Sequence, residues 1–329
     1  MEIIKVQDLW KIYDIKQNRQ GLLGGIKDLI KPNWRSHEAV KGINFSINQG
    51  ESIGYIGPNG SGKSTTIKML TGILVPTRGK VVVNGIEPHE KRKENAQRIG
   101  VVFGQRSQLW RDLAIRESFE LFRHIYKIPK GDFISNTEMM FELLGLSEFE
   151  STPVRQLSLG QRMRAEIACA FFHDPTICYL DEPTIGLDIE AKQQIRGFLR
   201  RINEEKKTTI ILTTHDMDDI EQVCKRLLLI NKGEIIYDDG MDKFINRYGT
   251  DRILTIMLEK DDFINNFTVE HGEVIRKENK EIKILFKKEQ VSATQLIQYL
   301  TSRYPIIDCK IEEPKIEDLI RDVYQKRGK

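Results

Sequence analysis

The sequence predicts an α/β fold built on a parallel sheet, with a mostly helical insert and a second, smaller domain. Three observations predict it. Short apolar runs, Ile177–Leu180, Thr209–Leu212 and Leu227–Ile230, recur between helical stretches, the rhythm of strands covered on both faces. The buried-strand pattern of Glu51–Gly57 runs into a glycine-rich turn and then a helical stretch, Ser64–Thr71. After Tyr248-Gly249 the order becomes β, short helix, β, β, helix, β, helix, and 329 residues at about 150 per domain suit two units.

Taken in order, residues 1–15 and 39–56 are β-rich, and Lys80–Gly85 is a β-run closed by an Asn-Gly turn signal. Lys91-Arg-Lys93 is read as a solvated loop rather than a binding patch. Over about 106–172 the period turns helical, with Phe119, Phe122, Ile125 and Tyr126 on one face and Met139, Met140, Leu143 and Leu144 on another. The α/β rhythm then resumes to about residue 246, and residues 250–329 form the second domain.

Hydrophobic residues make up 40% and charged residues 30% of the chain, and 51 Lys+Arg against 48 Asp+Glu leave a net charge of +3. That balance argues against disorder and against a nucleic-acid-coating surface. The longest apolar run, Ile167–Phe172, falls far short of the roughly 18 residues a spanning helix needs. Met1–Val6 alternates like a strand and lacks the apolar core of a signal peptide, so export of the chain is not expected. Cys169, Cys178, Cys224 and Cys309 show no metal spacing and are read as buried reduced thiols.

Two motifs carry chemistry. Gly57-Pro58-Asn59-Gly60-Ser61-Gly62-Lys63-Ser64-Thr65 fits G-x-x-x-x-G-K-S between a strand and a helix. Its glycines let backbone N–H groups and the positive helix end wrap an anion. Lys63 then reaches the β- and γ-phosphates of a nucleotide, and the Ser64 hydroxyl ligates Mg²⁺. The second motif is Asp181-Glu182-Pro183 at the end of an apolar strand. Two adjacent acids there can divide the labour: Asp181 holds Mg²⁺, and Glu182 polarises an attacking water.

The ordered set resembles the ATP-binding cassette of ABC transporters over roughly residues 1–246. Leu157-Ser158-Leu159-Gly160-Gln161 looks like the family's signature, usually written LSGGQ, with leucine in place of one glycine. Thr184–Asp188 looks like the D-loop, His215 in Thr213-Thr-His-Asp resembles the switch histidine, and Gln105 resembles the Q-loop glutamine, with Gln108 a nearby rival. Tyr13 resembles the aromatic residue that stacks on adenine, although Trp34 has the more usual spacing to Gly57. The resemblance implies a P-loop cassette with a mixed sheet, an antiparallel β part and a helical subdomain, followed by a small α+β domain. It implies binding of ATP with Mg²⁺, Gln105 among the metal contacts, and a dimer in which Ser158, Leu159, Gly160, Gln161 and Asp188 face a nucleotide held by the other copy. Ser158 can cap the helix beginning near Gly160, aiming its N–H donors at that phosphate. His215 would contact the γ-phosphate.

Residues 14–38 are an insertion relative to that family. Leu22, Leu23, Ile26, Leu29 and Ile30 at helical spacing, among Lys16, Arg19, Lys27, Lys31 and Arg35, suit a basic amphipathic helix near a membrane surface or permease. A helix packed on its own sheet fits equally, because Gly21, Gly24 and Gly25 weaken an isolated helix. The motif spellings, and Glu313–Ile320 near the end, look like the exporter branch of drug, sodium and polysaccharide systems. The reading is therefore an ATP-hydrolysing subunit on the cytoplasmic face of the cell membrane. Its partners would be separate membrane permease subunits and a second, identical or paralogous, cassette. A soluble cassette of DNA repair or translation is the alternative, disfavoured by the missing coiled coil, the single cassette and the near-neutral charge.

Overall fold

The computed structural model describes residues 1–17, 33–104, 107–260, 264 and 266–326. The chain divides into two compact units, Met1–Asp239 and Gly240–Lys329.

In the first unit, β1 (Glu2–Gln17), β2 (Asn33–Asn48) and β4 (Arg78–Val83) form an antiparallel sheet in the order β2-β1-β4. The ladder continues through Asp14↔Ser36, Ile15↔Arg35 and Lys16↔Trp34, so both ends of the 14–38 insertion are strand. The amphipathic helix expected from Leu22 to Ile30 lies outside the described residues. Asn84 and Gly85 both have positive φ and close the Val83↔Ile86 bridge, the turn that Asn-Gly favours.

A six-stranded sheet holds β3 (Ser52–Ile56), β5 (Ile99–Phe103), β6 (Ile177–Asp181), β7 (Thr209–Thr213), β8 (Arg226–Asn231) and β9 (Glu234–Gly240) in the order β5-β6-β7-β3-β8-β9. The pairs within β5-β6-β7-β3-β8 are parallel. Every residue of β3 and β7 is buried, which is why these strands read as unbroken apolar runs. Burial of each such Ile or Leu contributes about 1.5–3 kcal/mol.

The helices of this unit are α1 (Lys63–Leu70), α2 (Arg92–Ala96), α3 (Ile115–Tyr126), α4 (Lys130–Leu143), α5 (Leu159–Phe171), α6 (Ile189–Lys206) and α7 (Met217–Val223). Lys91-Arg-Lys93 is the start of α2 rather than a loop, because Glu94 sits within reach of Lys91 (3.7 Å) and Arg98 (2.9 Å). The helical insert forms around aromatic packing: Phe119 lies 5.4 Å from Phe141 and 5.6 Å from Phe172, ring centre to ring centre. Such pairs each add about 0.5–1.5 kcal/mol beyond their buried area.

The second unit contains α8 (Met241–Tyr248), β10 (Asp251–Leu258), β11 (Glu273–Glu278), β12 (Glu281–Lys287), α9 (Ala293–Thr301), β13 (Ile306–Glu312) and α10 (Ile316–Lys326). Its antiparallel sheet runs β11-β12-β10-β13. Leu254, Ile256, Ile282, Ile284, Leu296 and Leu300 fill its core. The short helix expected between the first two strands is absent among the described residues there, where Ile264 and Asn266 sit in turns. Cys169, Cys178 and Cys224 are buried free thiols, but Cys309 is exposed, because β13 is an edge strand. Among the described residues no helix is long and apolar enough to cross a membrane.

Candidate nucleotide site

Strand order places the candidate site. β3 lies between β7 and β8, and the carboxyl ends of β5, β6 and β7 are level, with Phe103 paired to Asp181 and Asp181 to Thr213. Such carboxyl ends are where open parallel sheets hold ligands. The turn after β3 carries residues 57–62 and delivers Lys63 as the first residue of α1. No side chain caps α1 and its first turn has no acidic residue, which leaves its N–H groups available to an anion.

Glycine is required at two of these positions. A Cβ on Gly57 would lie 2.4 Å from both the Ile230 carbonyl oxygen and Ser61 Oγ. Gly62 has φ +111°, and a Cβ there would lie 2.5 Å from the Ala39 carbonyl oxygen. The buried Ser61 hydroxyl has no hydrogen-bond partner among the described residues. Lys63 Nζ donates to the carbonyls of Gly57 and, at 3.2 Å, Pro58. Burial pulls the Lys63 amine below its ordinary pKa, and the nearby Glu182 and Asp181 carboxylates oppose that pull. The result is a cation at the mouth of a backbone cradle, suited to phosphate.

Asp181 faces this loop: Ser64 Oγ donates to its carboxylate at 3.2 Å, and the Thr213 hydroxyl donates to its other oxygen. A hydroxyl and a carboxylate converging in this way are hard oxygen donors of the kind Mg²⁺ takes. Glu182 follows with φ +58°, an uncommon backbone conformation for a non-glycine residue, fixed by its N–H donating to the Thr213 carbonyl at 2.9 Å. His215 Nε2 lies 3.1 Å from Glu182 Oε1. Burial, with Asp181 adding to it, raises the Glu182 pKa above its ordinary value; His215 and Lys63 pull the other way.

A cavity of about 580 Å³ opens here, lined by Tyr13, Asn59–Thr65, Phe103, Asp181 and Glu182 among others. Trp34, which is exposed, is not part of its lining. Gln105 lies outside the described residues, and its rival Gln108 donates through its side chain to the Val101 carbonyl at 2.5 Å. None of Leu157, Ser158, Leu159, Gly160 or Gln161 lines the cavity. Ser158 caps α5 as expected, although the helix begins one residue earlier, at Leu159: Ser158 accepts from the Gln161 N–H at 3.2 Å, while Gln161 Oε1 accepts from the Ser158 N–H at 2.9 Å. Asp188 caps α6 by accepting from the Ala191 N–H at 2.8 Å. A Cβ on Gly160 would sit 3.3 Å from Ala191 Cβ and 3.8 Å from Asp188 Oδ2, so the signature turn and the D-loop share one surface.

The chain matches the family model described as ABC transporter over residues 40–185. The ABC transporter ATP-binding protein NatA of Bacillus subtilis (strain 168) is 30% identical over 223 residues, 68% of this chain and 90% of that protein. The chain belongs to the ABC transporter family. The linearmycin resistance ATP-binding protein LnrL of the same organism is 29% identical over 296 residues, 88% of this chain and 94% of that protein. A dimeric ATP-binding cassette solved in a post-hydrolysis state with ADP and Pi superposes with a TM-score of 0.60 at 27% identity, covering 72% of this chain and 98% of that one. The chain is thus an ABC transporter's ATP-binding subunit, an ATPase with the P-loop cassette fold and an additional antiparallel sheet.

Glu166 was not legible in the sequence. Buried on α5, it accepts from the Ser107 hydroxyl and, at 2.9 Å, from the Gln108 N–H, so it ties the loop after β5 to the helical insert. Burial raises its pKa against those hydrogen bonds. Its only sequence signal is an acid inside the apolar helical run Ala165–Phe172.

Proposed function

We propose that the chain is the energy-coupling subunit of an exporter, seated on the cytoplasmic face of the membrane. In this reading about residues 1–246 are the catalytic cassette and 250–329 an accessory domain. The observation that carries the catalytic part is the Glu182 carboxylate, held by its φ +58° backbone beside Asp181 and at the edge of the phosphate cradle. Glu182 takes a proton from a water whose oxygen attacks the γ-phosphorus, and the bond to the bridging oxygen of ADP breaks. Lys63 and the loop N–H groups hold the phosphate charge, and His215 stabilises the charge that develops on the γ-phosphoryl oxygens. Ser64, Asp181 and Gln105 would hold Mg²⁺, which neutralises phosphate charge when bound. Tyr13 stacks on adenine, a role its place in the cavity lining supports.

Ser158, Leu159, Gly160, Gln161 and Asp188 do not line their own chain's cavity, and this supports their serving ATP held by a second cassette, identical or paralogous. Closure of that pair on ATP and its reopening after hydrolysis would then move a separate permease. The exporter reading is supported by the resistance function in the name of LnrL.

Because Glu182 must be ionised to accept a proton and its pKa is raised, ATPase activity should fall with acidification at a pH above the ordinary glutamate value of 4.5. A steady-state phosphate-release profile checks this, and an acid limb at or below 4.5 would remove Glu182 as the base. A groove of about 310 Å³ lined by Gly104, Ser107, Arg111, Arg155, Arg162 and Glu166 suits a permease segment. Full-length chain isolated from detergent-solubilised membranes should bring down a protein with several membrane spans. Recovery without one would restrict the function to soluble ATP hydrolysis.

A further inference from the structure

The accessory unit ends its sheet on β13, and no strand among the described residues pairs with its outer edge. Ile307 and Ile311 are 62% and 40% exposed, Cys309 is exposed, and the Lys310 side chain is 73% exposed. The Cys309 N–H donates to the carboxylate of its neighbour Asp308 at 2.8 Å, an edge amide served by its own chain. Open edges of this kind invite another strand unless something blunts them. Proline, a frequent blunting device, is absent from Ile306–Glu312, and the one lysine, Lys310, has a carboxylate two residues before it and another two after.

That pattern is self-complementary. Register with β10 puts Ile307, Cys309 and Ile311 on one face of the sheet and Asp308, Lys310 and Glu312 on the other. If two β13 strands pair antiparallel about a two-fold axis at Cys309, Asp308 faces Lys310 of the other copy on both sides of the axis. On the opposite face Ile307 meets Ile311 twice, and the two Cys309 residues stand directly opposite. Opposite-charge and aliphatic cross-strand pairs both favour pairing. Moving the axis to Asp308 sets two aspartates against each other. Moving it to Lys310 sets two lysines together and Asp308 against Glu312. An axis at Ile311 also sets Lys310 against Glu312, but it overlaps only Lys310–Glu312 of each strand, whereas the axis at Cys309 overlaps all of Ile306–Glu312. Charge and overlap together favour the Cys309 register, and the contact it makes is isologous, as a closed two-fold dimer requires.

We propose that β13 is a dimerisation edge that joins the accessory sheets of two copies of this chain into one eight-stranded antiparallel sheet. The proposal rests on the two-copy reading above only in naming a second copy as partner, and it needs no ATP. Directly opposed antiparallel residues have Cα atoms about 4.5–5.5 Å apart, within disulfide range. Cys309 is also the one exposed thiol of four. Copper-phenanthroline oxidation of the full-length protein without nucleotide should therefore give a Cys309–Cys309 disulfide dimer on a non-reducing gel. Two thiols form one S–S bond, with two Cu(II) ions taking one electron each to become Cu(I) and solvent taking the two protons.

K310E, which places an acid opposite Asp308, should slow cross-linking at least tenfold, and D308K/K310D, which swaps the charges, should restore it. C309S should abolish it and so identify the thiol. Equal rates for K310E and wild type, or no rescue by the swap, would overturn the paired strand. ATP-dependent dimerisation of a hydrolysis-blocked Glu182→Gln protein, followed by light scattering, separates the two readings. A dimer with ATP but no Cys309 cross-link sinks the β13 contact and spares the cassette pair, whereas a cross-link with no ATP-dependent dimer does the reverse.

Discussion

Glu182→Gln is expected to lower ATP turnover by about two to four orders of magnitude, the range a positioned general base contributes, while ATP binding persists. The replacement is nearly isosteric. The backbone bond from the Glu182 N–H to the Thr213 carbonyl does not involve the side chain, so the φ +58° geometry is kept. Glutamine also retains an oxygen for His215, now 3.1 Å from Glu182 Oε1. What it loses is the ability to accept a proton. The stability sign is opposite to the activity sign. The folded carboxyl has a raised pKa, so its ionised form at neutral pH is disfavoured by folding, chiefly through burial and then through Asp181. Removing that charge should leave the melting temperature at pH 7 equal to or above wild type. Phosphate release, a fluorescent ATP analogue and calorimetry report the three outcomes. A variant that hydrolyses within tenfold of wild type would take the proton-accepting role away from Glu182.

The parts of this molecule that could be read from sequence are those whose burial is one-sided or complete. β3, β6 and β7 were legible because parallel strands covered on both faces need continuous apolar residues, and the phosphate loop because its glycines answer to fixed backbone demands. The ladder from Asp14 to Gln17 and Asn33 to Ser36 was not legible. Asp14–Lys16 and Trp34–Ser36 are exposed at every position, and period-two alternation needs one dry face to show. β13 was legible as a strand, but the exposure of Cys309, read as a buried thiol, was not, because the strand is exposed along most of its length. Within the site, Asp181, Glu182 and His215 announce themselves by following strands. Glu166, Arg196 and Asp219 do not, because a charged residue on a helix reads as solvated until the partner that buries it, distant in sequence, is known.

Arg196 and Asp219 carry the second large expectation. Asp219 is 1% exposed and the Arg196 side chain 7%, and Arg196 Nε donates to Asp219 Oδ1 at 2.6 Å. The other carboxylate oxygen accepts from the hydroxyls of Thr184 and, at 3.0 Å, Thr214. Thr184 lies two residues after Glu182 and Thr214 one before His215, so a single buried carboxylate pins the turns that carry both. Lys192 Nζ and Arg196 extend the network to Asp216, at 2.6 and 3.2 Å. Removing one partner of a buried pair strands the other charge, and the cost is about 3–5 kcal/mol. Arg196→Met is expected to lose that much stability in urea denaturation followed by circular dichroism. Arg196→Met with Asp219→Asn removes the stranded charge as well and should recover part of the loss, a coupling that separates an ion-pair effect from general disruption. ATPase activity should fall in Arg196→Met at temperatures where the variant is still folded, because the turns bearing Glu182 and His215 lose their common anchor. A single variant within 1 kcal/mol of wild type, with unchanged turnover, would mean that those turns are held by the sheet alone.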